Sequence, residues 1–159
     1  MEESSGNRFQ RTGVQVGAQF PVTRYLLDTN VVSELRKRKS HGAVLAWLDT
    51  LRPEQIFLSA VTIGELQAGA ELTRKNDPAK AAEIENWLTV TEGTFPVIPM
   101  DSACFREWAR LKAGKSSVLI EDAMIAATAR VHGLHVATRN ERDFGELQVE
   151  AFNPFGFGG

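Results

Sequence analysis

The chain has 159 residues and a net charge of −2, so its length suits one domain and its overall charge does not attract nucleic acid. No apolar run approaches the ~20 residues of a membrane span, and the first 24 residues lack the apolar segment of a signal peptide. The single cysteine, Cys104, excludes an internal disulfide and fits a reducing compartment. We therefore expect a cytoplasmic protein with no membrane association.

Strands and helices are predicted to alternate along most of the chain. Residues 1–23 show no helical or strand period and are expected to form a flexible tail. Apolar runs predict strands at 25–27, 56–59, 95–100, 134–138 and 148–152, with helices at 31–38, 44–51, from 62, from 77, at 101–111 and at 119–132. This alternation predicts an α/β fold, a three-layer α/β/α sandwich with a short, mostly parallel sheet, in one domain over residues 24–155 with a short tail at 156–159. Prolines in the third strand place it at an edge of the sheet.

The first strand ends in a carboxylate, Asp28. Asn30 can cap the helix that follows through its side-chain oxygen, which leaves Asp28 free for another role. The carboxyl ends of buried parallel strands are where open α/β sheets bind their ligands. Asp28 is therefore the first candidate site residue.

A second candidate, Asp122, falls on an apolar stripe of the helix predicted at 119–132, whereas Glu121 and Thr128 fall on its water-facing stripe. A buried ionised carboxylate is costly unless a cation, donors or a raised pKa compensate for it. This pattern marks Asp122 as a functional acid and Glu121 as an ordinary exposed one.

Three further acids, each of which could belong to the site, also have a purely structural interpretation. Residues 62–65 read as a capping box, which would satisfy Glu65 without any function. Asp143 lies in a predicted loop, 140–144, where aspartates usually form turns. Asp101 directly precedes a helix and is interpreted as its N-cap, outside any site.

Parallel strands would bring Asp28 and Asp143 to the same edge of the sheet, with Asp122 and Glu65 near the starts of neighbouring helices. Two carboxylates about 4 Å apart repel each other by roughly 4 kcal/mol at an effective dielectric near 20. Four such groups favour a hard divalent cation, Mg²⁺ or Mn²⁺, which takes a few carboxylate oxygens and keeps waters. The three histidines and the cysteine are too scattered to form a zinc set.

The basic run Arg36, Lys37 and Arg38 ends the helix after the first strand. It has two interpretations, a solvated helix end that complements the helix dipole and a phosphate contact beside Asp28. The run is kept as a candidate substrate-binding segment.

Four motifs now carry a resemblance. They are LDTNV at 27–31, SAVTIGEL at 59–66, EDAMIAATA at 121–129 and TRNERDF at 138–144. In this order, over residues 25–155, the chain resembles a PIN-domain ribonuclease of the VapC type, the toxin half of bacterial type II toxin–antitoxin pairs, and most closely the FitB or plasmid-stability branch. The segment before Tyr25 departs from that pattern, since such proteins usually begin near the first strand.

The resemblance implies an acidic site made of Asp28, Glu65, Asp122 and Asp143. Within it Asp28 and Asp122 would bind Mg²⁺ or Mn²⁺ directly, with Thr29 and Asn140 as supporting residues. It also implies RNA as substrate, a homodimer, and a VapB- or FitA-like antitoxin that covers the site and carries the complex to promoter DNA.

Other proteins that gather acids around a metal fit less well. A haloacid-dehalogenase-like phosphatase needs a second aspartate where this chain has Asn30, and a response-regulator receiver domain needs an acidic pair where it has Leu27 and Asp28. A catalytically silent PIN-like module that binds RNA or a protein stays open as an alternative.

Overall fold

The computed structural model describes residues 22–115 and 118–159, so most of the tail predicted at 1–23 lies outside the described residues. Five strands are found there: β1 (Tyr25–Leu27), β2 (Ile56–Ser59), β3 (Val97–Ile98), β4 (His135–Ala137) and β5 (Ala151–Phe152). Seven α-helices accompany them: α1 (Thr29–Val32), α2 (Gly42–Asp49), α3 (Ala60–Arg74), α4 (Pro78–Thr94), α5 (Ser102–Lys112), α6 (Ile120–His132) and α7 (Glu141–Glu146). Short 3₁₀ segments cover Ser33–Arg36, Pro53–Gln55 and Pro154–Gly156.

The five strands form one sheet in the order β3-β2-β1-β4-β5, and every pair is parallel. The predicted α/β architecture is therefore confirmed, with β3 at an edge as its prolines indicated. In the central register Leu27 lies opposite both Leu58 and Ala137. The residues that follow these three, among them Asp28 and Thr138, consequently leave the sheet side by side at its carboxyl edge.

Helices cover both faces of the sheet. Leu26 packs on one side with a cluster that includes Ile125 and Phe144, while Leu27 packs on the other with Val31 and its neighbours. Because both faces of β1 are buried, its apolar residues are consecutive rather than alternating. Each leucine buried in this way contributes about 1.5–3 kcal/mol, which holds the carboxyl end of β1 in place.

The start of α1 differs from the prediction. The helix begins at Thr29, two residues early, and Asp28 itself is its N-cap. Asn30 lies inside the first turn, where its side-chain oxygen instead accepts the Arg139 N–H at 3.2 Å. The assignment of Asn30 as the cap was therefore wrong, because the side chain reaches the segment after β4 rather than its own helix.

The predicted start of α3 and the predicted capping box are also wrong. The helix begins at Ala60, and the Ser59 hydroxyl caps it by accepting the Val61 N–H at 3.1 Å. Thr62 and Glu65 are therefore inside the helix, and Glu65 is not used as a cap. The apolar strand passes into the helix without a break, so the sequence pattern gave no clear boundary.

Two features of the carboxyl-terminal half also differ. Residues 140–144 do not form a loop, because α7 begins at Glu141 and places Asp143 on a helix. The last strand is shorter than 148–152, since Gln148 has a positive φ of 55° that an extended strand does not allow.

On α6, Thr128 is completely buried rather than water-facing, whereas Ile120 is 50% exposed. The Thr128 hydroxyl donates to the Met124 carbonyl at 2.9 Å, so the buried polar group is satisfied. Glu121 is exposed, as predicted. Thr128 is buried because α6 packs against both the sheet and α5. The pattern of apolar residues along the helix did not predict this second contact.

Within residues 22–115 and 118–159, no helix combines the length and apolar character that crossing a membrane requires.

Replacing Asp101 with Ala should lower the melting temperature at neutral pH, because Asp101 caps α5 by accepting the Cys104 N–H at 3.0 Å. That hydrogen bond lowers the pKa of the Asp101 carboxyl. A lowered pKa means that the stabilisation is present above the ordinary value of 3.8 and is lost as the pH falls through the folded-state value. The difference between variant and parent should therefore shrink in acid. Replacing the exposed Glu92 on α4 with Ala is the control, and an equal loss there would contradict the capping role.

Candidate functional site

Asp28 is the most enclosed acid at the carboxyl edge of the sheet, with 4% of its surface exposed. Its Oδ1 accepts the Thr29 N–H at 2.8 Å, and its Oδ2 accepts from the Thr138 hydroxyl at 2.8 Å and from Asn30 Nδ2 at 3.2 Å. All three donors are neutral, and no ion pair among the described residues involves Asp28. Burial raises the pKa of Asp28, and these hydrogen bonds oppose that rise.

Two of these donors, Thr138 and Asn30, were not singled out from the sequence as partners of Asp28. Thr138 is fully buried and directly follows β4, whose register with β1 places it beside Asp28. In the sequence, Thr138 is marked only as a polar residue that follows an apolar strand. That position indicates a contact with Asp28 only when β4 and β1 are known to be neighbours.

Glu65 reaches the same edge from α3. Its Oε1 accepts the Thr29 hydroxyl at 2.9 Å, and that hydroxyl lies 3.1 Å from the buried hydroxyl of Thr62. Burial raises the pKa of Glu65; the Thr29 hydrogen bond lowers it, and the negative charges of Asp28 and Glu121 raise it. Thr29 thus links the carboxylate after β1 to the carboxylate on α3.

Asp122 enters the site from the first turn of α6 and is half-buried. Its pKa is raised to about 6, mainly by burial and further by the negative charges of four other acids. These acids are, in decreasing order of effect, Asp28, Glu65, Asp143 and Glu121. Asp122 therefore lies within electrostatic range of the other three predicted acids, and Glu121, expected to be an ordinary exposed acid, extends the negative region.

Asp143 is exposed on α7, beside Asp122. Both line a cavity of about 70 Å³ together with Glu146, which the sequence analysis did not identify. Asn140, predicted as a supporting residue, directly precedes α7 and donates its backbone N–H to the Thr138 hydroxyl at 2.9 Å. It thereby helps to orient the hydroxyl that Asp28 accepts.

The residues at this edge fit a hard divalent cation. The donors are carboxylate oxygens, and the buried charge on Asp28 lacks a cationic partner. Among the described residues, no three Asp, Glu, His or Cys side chains are placed to hold an ion together. Mg²⁺ commonly uses one or two carboxylates and completes its shell with water, which agrees with Asp28 and Asp122 as a minimal pair.

The basic run after α1 is divided by the structure. Lys37 pairs with the buried Glu34, whereas Arg36 and Arg38 are exposed. Lys37 thus has a structural partner, and the other two remain free to meet a phosphate.

A larger concavity of about 710 Å³ lies beside α7 and β5. It is lined by Glu141, Arg142, Gly145, Gln148, Val149, Glu150 and Ala151, and contains none of the four predicted site acids. Convergence of perturbed carboxyl groups is a stronger indication of chemistry than volume, so the acidic edge is the candidate site.

The chain matches the PIN domain family model over residues 25–149. It is 36% identical over 139 residues to the toxin FitB of Neisseria gonorrhoeae, an alignment that covers 82% of this chain and 97% of FitB. It is 38% identical over 140 residues to the VapC ribonuclease Y4jK of Sinorhizobium fredii, which covers 82% of this chain and 96% of that protein.

The fold is also similar to solved structures of toxin–antitoxin complexes. FitAB bound to an IR36 DNA fragment matches with a TM-score of 0.74 and 31% identity, covering 85% of this chain and 98% of that one. A toxin–antitoxin complex from Klebsiella pneumoniae matches with a TM-score of 0.64 and 25% identity, covering 82% and 97%.

Replacing Asp122 with Asn should stabilise the metal-free protein at neutral pH. Between pH 3.8 and about 6 the folded protein binds more protons at this site than the unfolded chain, so stability falls as the pH rises through that window. After allowance for solvent screening of a half-exposed carboxyl, the gain is on the order of 1 kcal/mol. Urea denaturation in EDTA measures it, and Glu121→Gln, which removes the acid with the least effect on Asp122 from the same helix end, should give a smaller gain. A loss of stability in Asp122→Asn at neutral pH would contradict the repulsion among these acids.

Replacing Thr138 with Val should destabilise the protein by about 1–3 kcal/mol, because the buried Asp28 loses a hydroxyl donor. The pKa of Asp28 should rise further, since that hydrogen bond lowers it now. Thr138→Ser restores the donor and should recover most of the stability. Parental stability in Thr138→Val together with a loss in Thr138→Ser would show that the methyl group, which valine keeps and serine lacks, is what matters.

Proposed function

The chain belongs to the PIN-domain family, and from this premise we propose that it is the toxin of a type II toxin–antitoxin system, a Mg²⁺- or Mn²⁺-dependent ribonuclease. It hydrolyses phosphodiester bonds in RNA and is inhibited by a cognate antitoxin. The observation that carries the proposal is the electrostatic convergence of Asp28, Glu65, Asp122 and Asp143 at one edge of the sheet. The similarity to a VapC ribonuclease and to FitB supports the same activity.

Asp28 and Asp122 would hold the divalent ion. When bound, the ion supplies Lewis acidity, which activates water and neutralises charge on the phosphoryl group. Asp28 is preorganised for this role, since its three neutral donors fix both carboxylate oxygens before any ligand arrives. Asp122 supplies a second carboxylate from a different helix, and an opposite charge between the two would reverse the rise in its pKa.

Glu65 and Asp143 are the candidates for positioning the attacking water. Glu65 has a raised pKa and a hydroxyl partner, Thr29, which holds its orientation. A carboxyl of this kind can accept a proton at a pH closer to neutrality than an ordinary glutamate. Asp143 is exposed and lies next to Asp122, so it can orient water from the open side. The water held by one of these two carboxylates then attacks the phosphorus in line, giving a proton to that carboxylate as the bond from phosphorus to the leaving RNA oxygen breaks.

The cellular setting follows from the relatives. The proposed partner is a VapB- or FitA-like antitoxin that covers the acidic edge with a basic segment, and the proposed assembly is a complex of toxin homodimers in the cytoplasm. The structures of a toxin–antitoxin complex and of FitAB on a DNA fragment support this partner and DNA binding by the complex, and we propose promoter DNA as its target.

Replacing Asp28 or Asp122 with Asn should abolish RNA cleavage, because each change removes a charge that holds the metal. A loss of at least about a hundredfold is expected from losing metal-dependent catalysis. The measurement is cleavage of unstructured RNA with Mg²⁺, with Mn²⁺ and with EDTA, together with growth arrest after induction in cells.

Asp49→Asn provides the matched control, since it removes an exposed carboxylate from α2 and should leave cleavage unchanged. Folding of each variant is checked by its melting temperature. Cleavage by Asp28→Asn at the parental rate, or cleavage that persists in EDTA, would contradict the proposal. RNA binding with no cleavage by the parent protein under any metal condition would instead identify a silent RNA-binding module.

A further inference from the structure

A group of cationic and aromatic side chains lies next to the acidic edge, on the side of the sheet that α2 covers. We call it the cation–aromatic surface and define it by Arg139, Phe155, His41 and the exposed basic residues Arg36 and Arg38. None of its three arginines forms an ion pair with a described residue. Its charges are therefore available to a ligand.

Arg139 is tied to the acidic site by a short chain of hydrogen bonds. Its backbone N–H donates to Asn30 Oδ1 at 3.2 Å, and Asn30 Nδ2 donates to Asp28 Oδ2 at 3.2 Å. One amide side chain thus fixes the distance between the proposed metal ligand and the residue that carries the positive charge. The backbone of Arg139 therefore lies beside the proposed metal site, and its side chain extends from there to the ring of Phe155.

The guanidinium of Arg139 lies over the ring of Phe155, 3.8 Å from its centroid. The ring itself is fixed, because Asn153 Oδ1 accepts the Phe155 N–H at 2.9 Å and the ring packs on the core around Val44 and Trp47. The His41 ring meets Phe155 edge-on at 5.1 Å. Arg139 is exposed as a residue, and a guanidinium that stacks on one ring still has a second face and an N–H edge with which to bind a ligand.

A buried carboxylate holds the basic segment nearby. Glu34 is 4% exposed, pairs with Lys37 and accepts the His41 N–H at 3.0 Å. The Lys37 pair lowers the pKa of the Glu34 carboxyl, and the charge of Arg139 lowers it slightly further. Residues 37–41 are thereby fixed beside Arg139 rather than left as a free basic tail.

An RNA strand needs such a surface here. Its phosphates are repelled by the carboxylates at the edge, and a protein of net charge −2 offers no general attraction to offset that repulsion. Single-stranded RNA is typically bound by basic groups for the phosphates and by flat groups on which bases stack, including arginine guanidinium planes. The cation–aromatic surface combines both beside the segment that follows β4 at the carboxyl edge of the sheet.

We propose that Arg139 binds one nucleotide of the single-stranded RNA substrate beside the cleavage site, with a base stacked on the open face of its guanidinium and a phosphate on its N–H edge. Phe155 is a positioning residue, which holds that guanidinium flat. This assignment rests on the proposed ribonuclease activity for its place in the reaction, but the binding itself does not require turnover.

The test compares Arg139→Gln and Arg139→Lys with a matched control, Arg106→Gln, which removes an exposed arginine from α5. Binding of a fluorescent, unstructured RNA oligomer is measured by anisotropy in EDTA, in variants that also carry Asp122→Asn. The values of kcat and KM are measured separately with Mg²⁺, in variants that keep Asp122. Arg139→Gln should weaken binding and raise KM by about tenfold, with kcat within about twofold. The slope of log affinity against log salt should fall by about 0.7, the value for one phosphate on a single strand.

Arg139→Lys keeps the charge but loses the stack, so its affinity should fall between those of the parent and Arg139→Gln. Phe155→Leu should weaken binding in the same direction while leaving the salt slope unchanged. Parental affinity in Arg139→Gln, or an equal loss in Arg106→Gln, would overturn the proposal even if the protein cleaves RNA. Loss of binding in Arg139→Gln when the parent binds RNA but does not cleave it would sustain the binding site and refute the ribonuclease.

Discussion

The structure depends on a carboxylate that is buried without a countercharge. Asp28 sits at the end of the central strand with 4% of its surface exposed, and every partner it has is neutral. Neutral hydrogen bonds offset part of the cost of burying a charge but do not cancel it. The cost that remains is the reason we propose a cation at this edge of the sheet.

The other acids add further negative charge near Asp28 and do not compensate for it. Asp122 and Glu65 both carry raised pKa values, and in each case the charges of neighbouring acids add to the effect of burial. Such an arrangement lowers the stability of the protein alone, and it is typical of catalytic sites, where groups are kept in positions that suit a ligand. The Asn30 side chain joins Asp28 to the backbone of Arg139, whose guanidinium lies over Phe155 and suits a substrate that is itself an anion.

Much of this could be predicted from the sequence, because strand ends and helix faces are local properties. The alternation of apolar segments predicted the parallel sheet, and the carboxylate after the first strand lies at the carboxyl edge of that sheet, as expected. The side-chain contacts that depend on which strands are neighbours could not be predicted from the sequence. Asn30 was predicted to cap a helix, but because β4 lies beside β1 its side chain binds the backbone of Arg139. A capping role for Glu65 was one of two interpretations, and it fails because α3 begins at Ala60. Thr138 and Arg139 gain their meaning only from that same pairing.

The most direct measurement is anomalous diffraction from crystals of the protein soaked in Mn²⁺. The account predicts a single strong anomalous peak at the carboxyl edge of the sheet, within bonding distance of an oxygen of Asp28 and of an oxygen of Asp122. The same soak of the Asp28→Asn variant should give no peak there. A peak that avoids both carboxylates, or an edge that stays free of manganese at saturating concentration, would contradict the claim that these acids are assembled to hold a divalent ion.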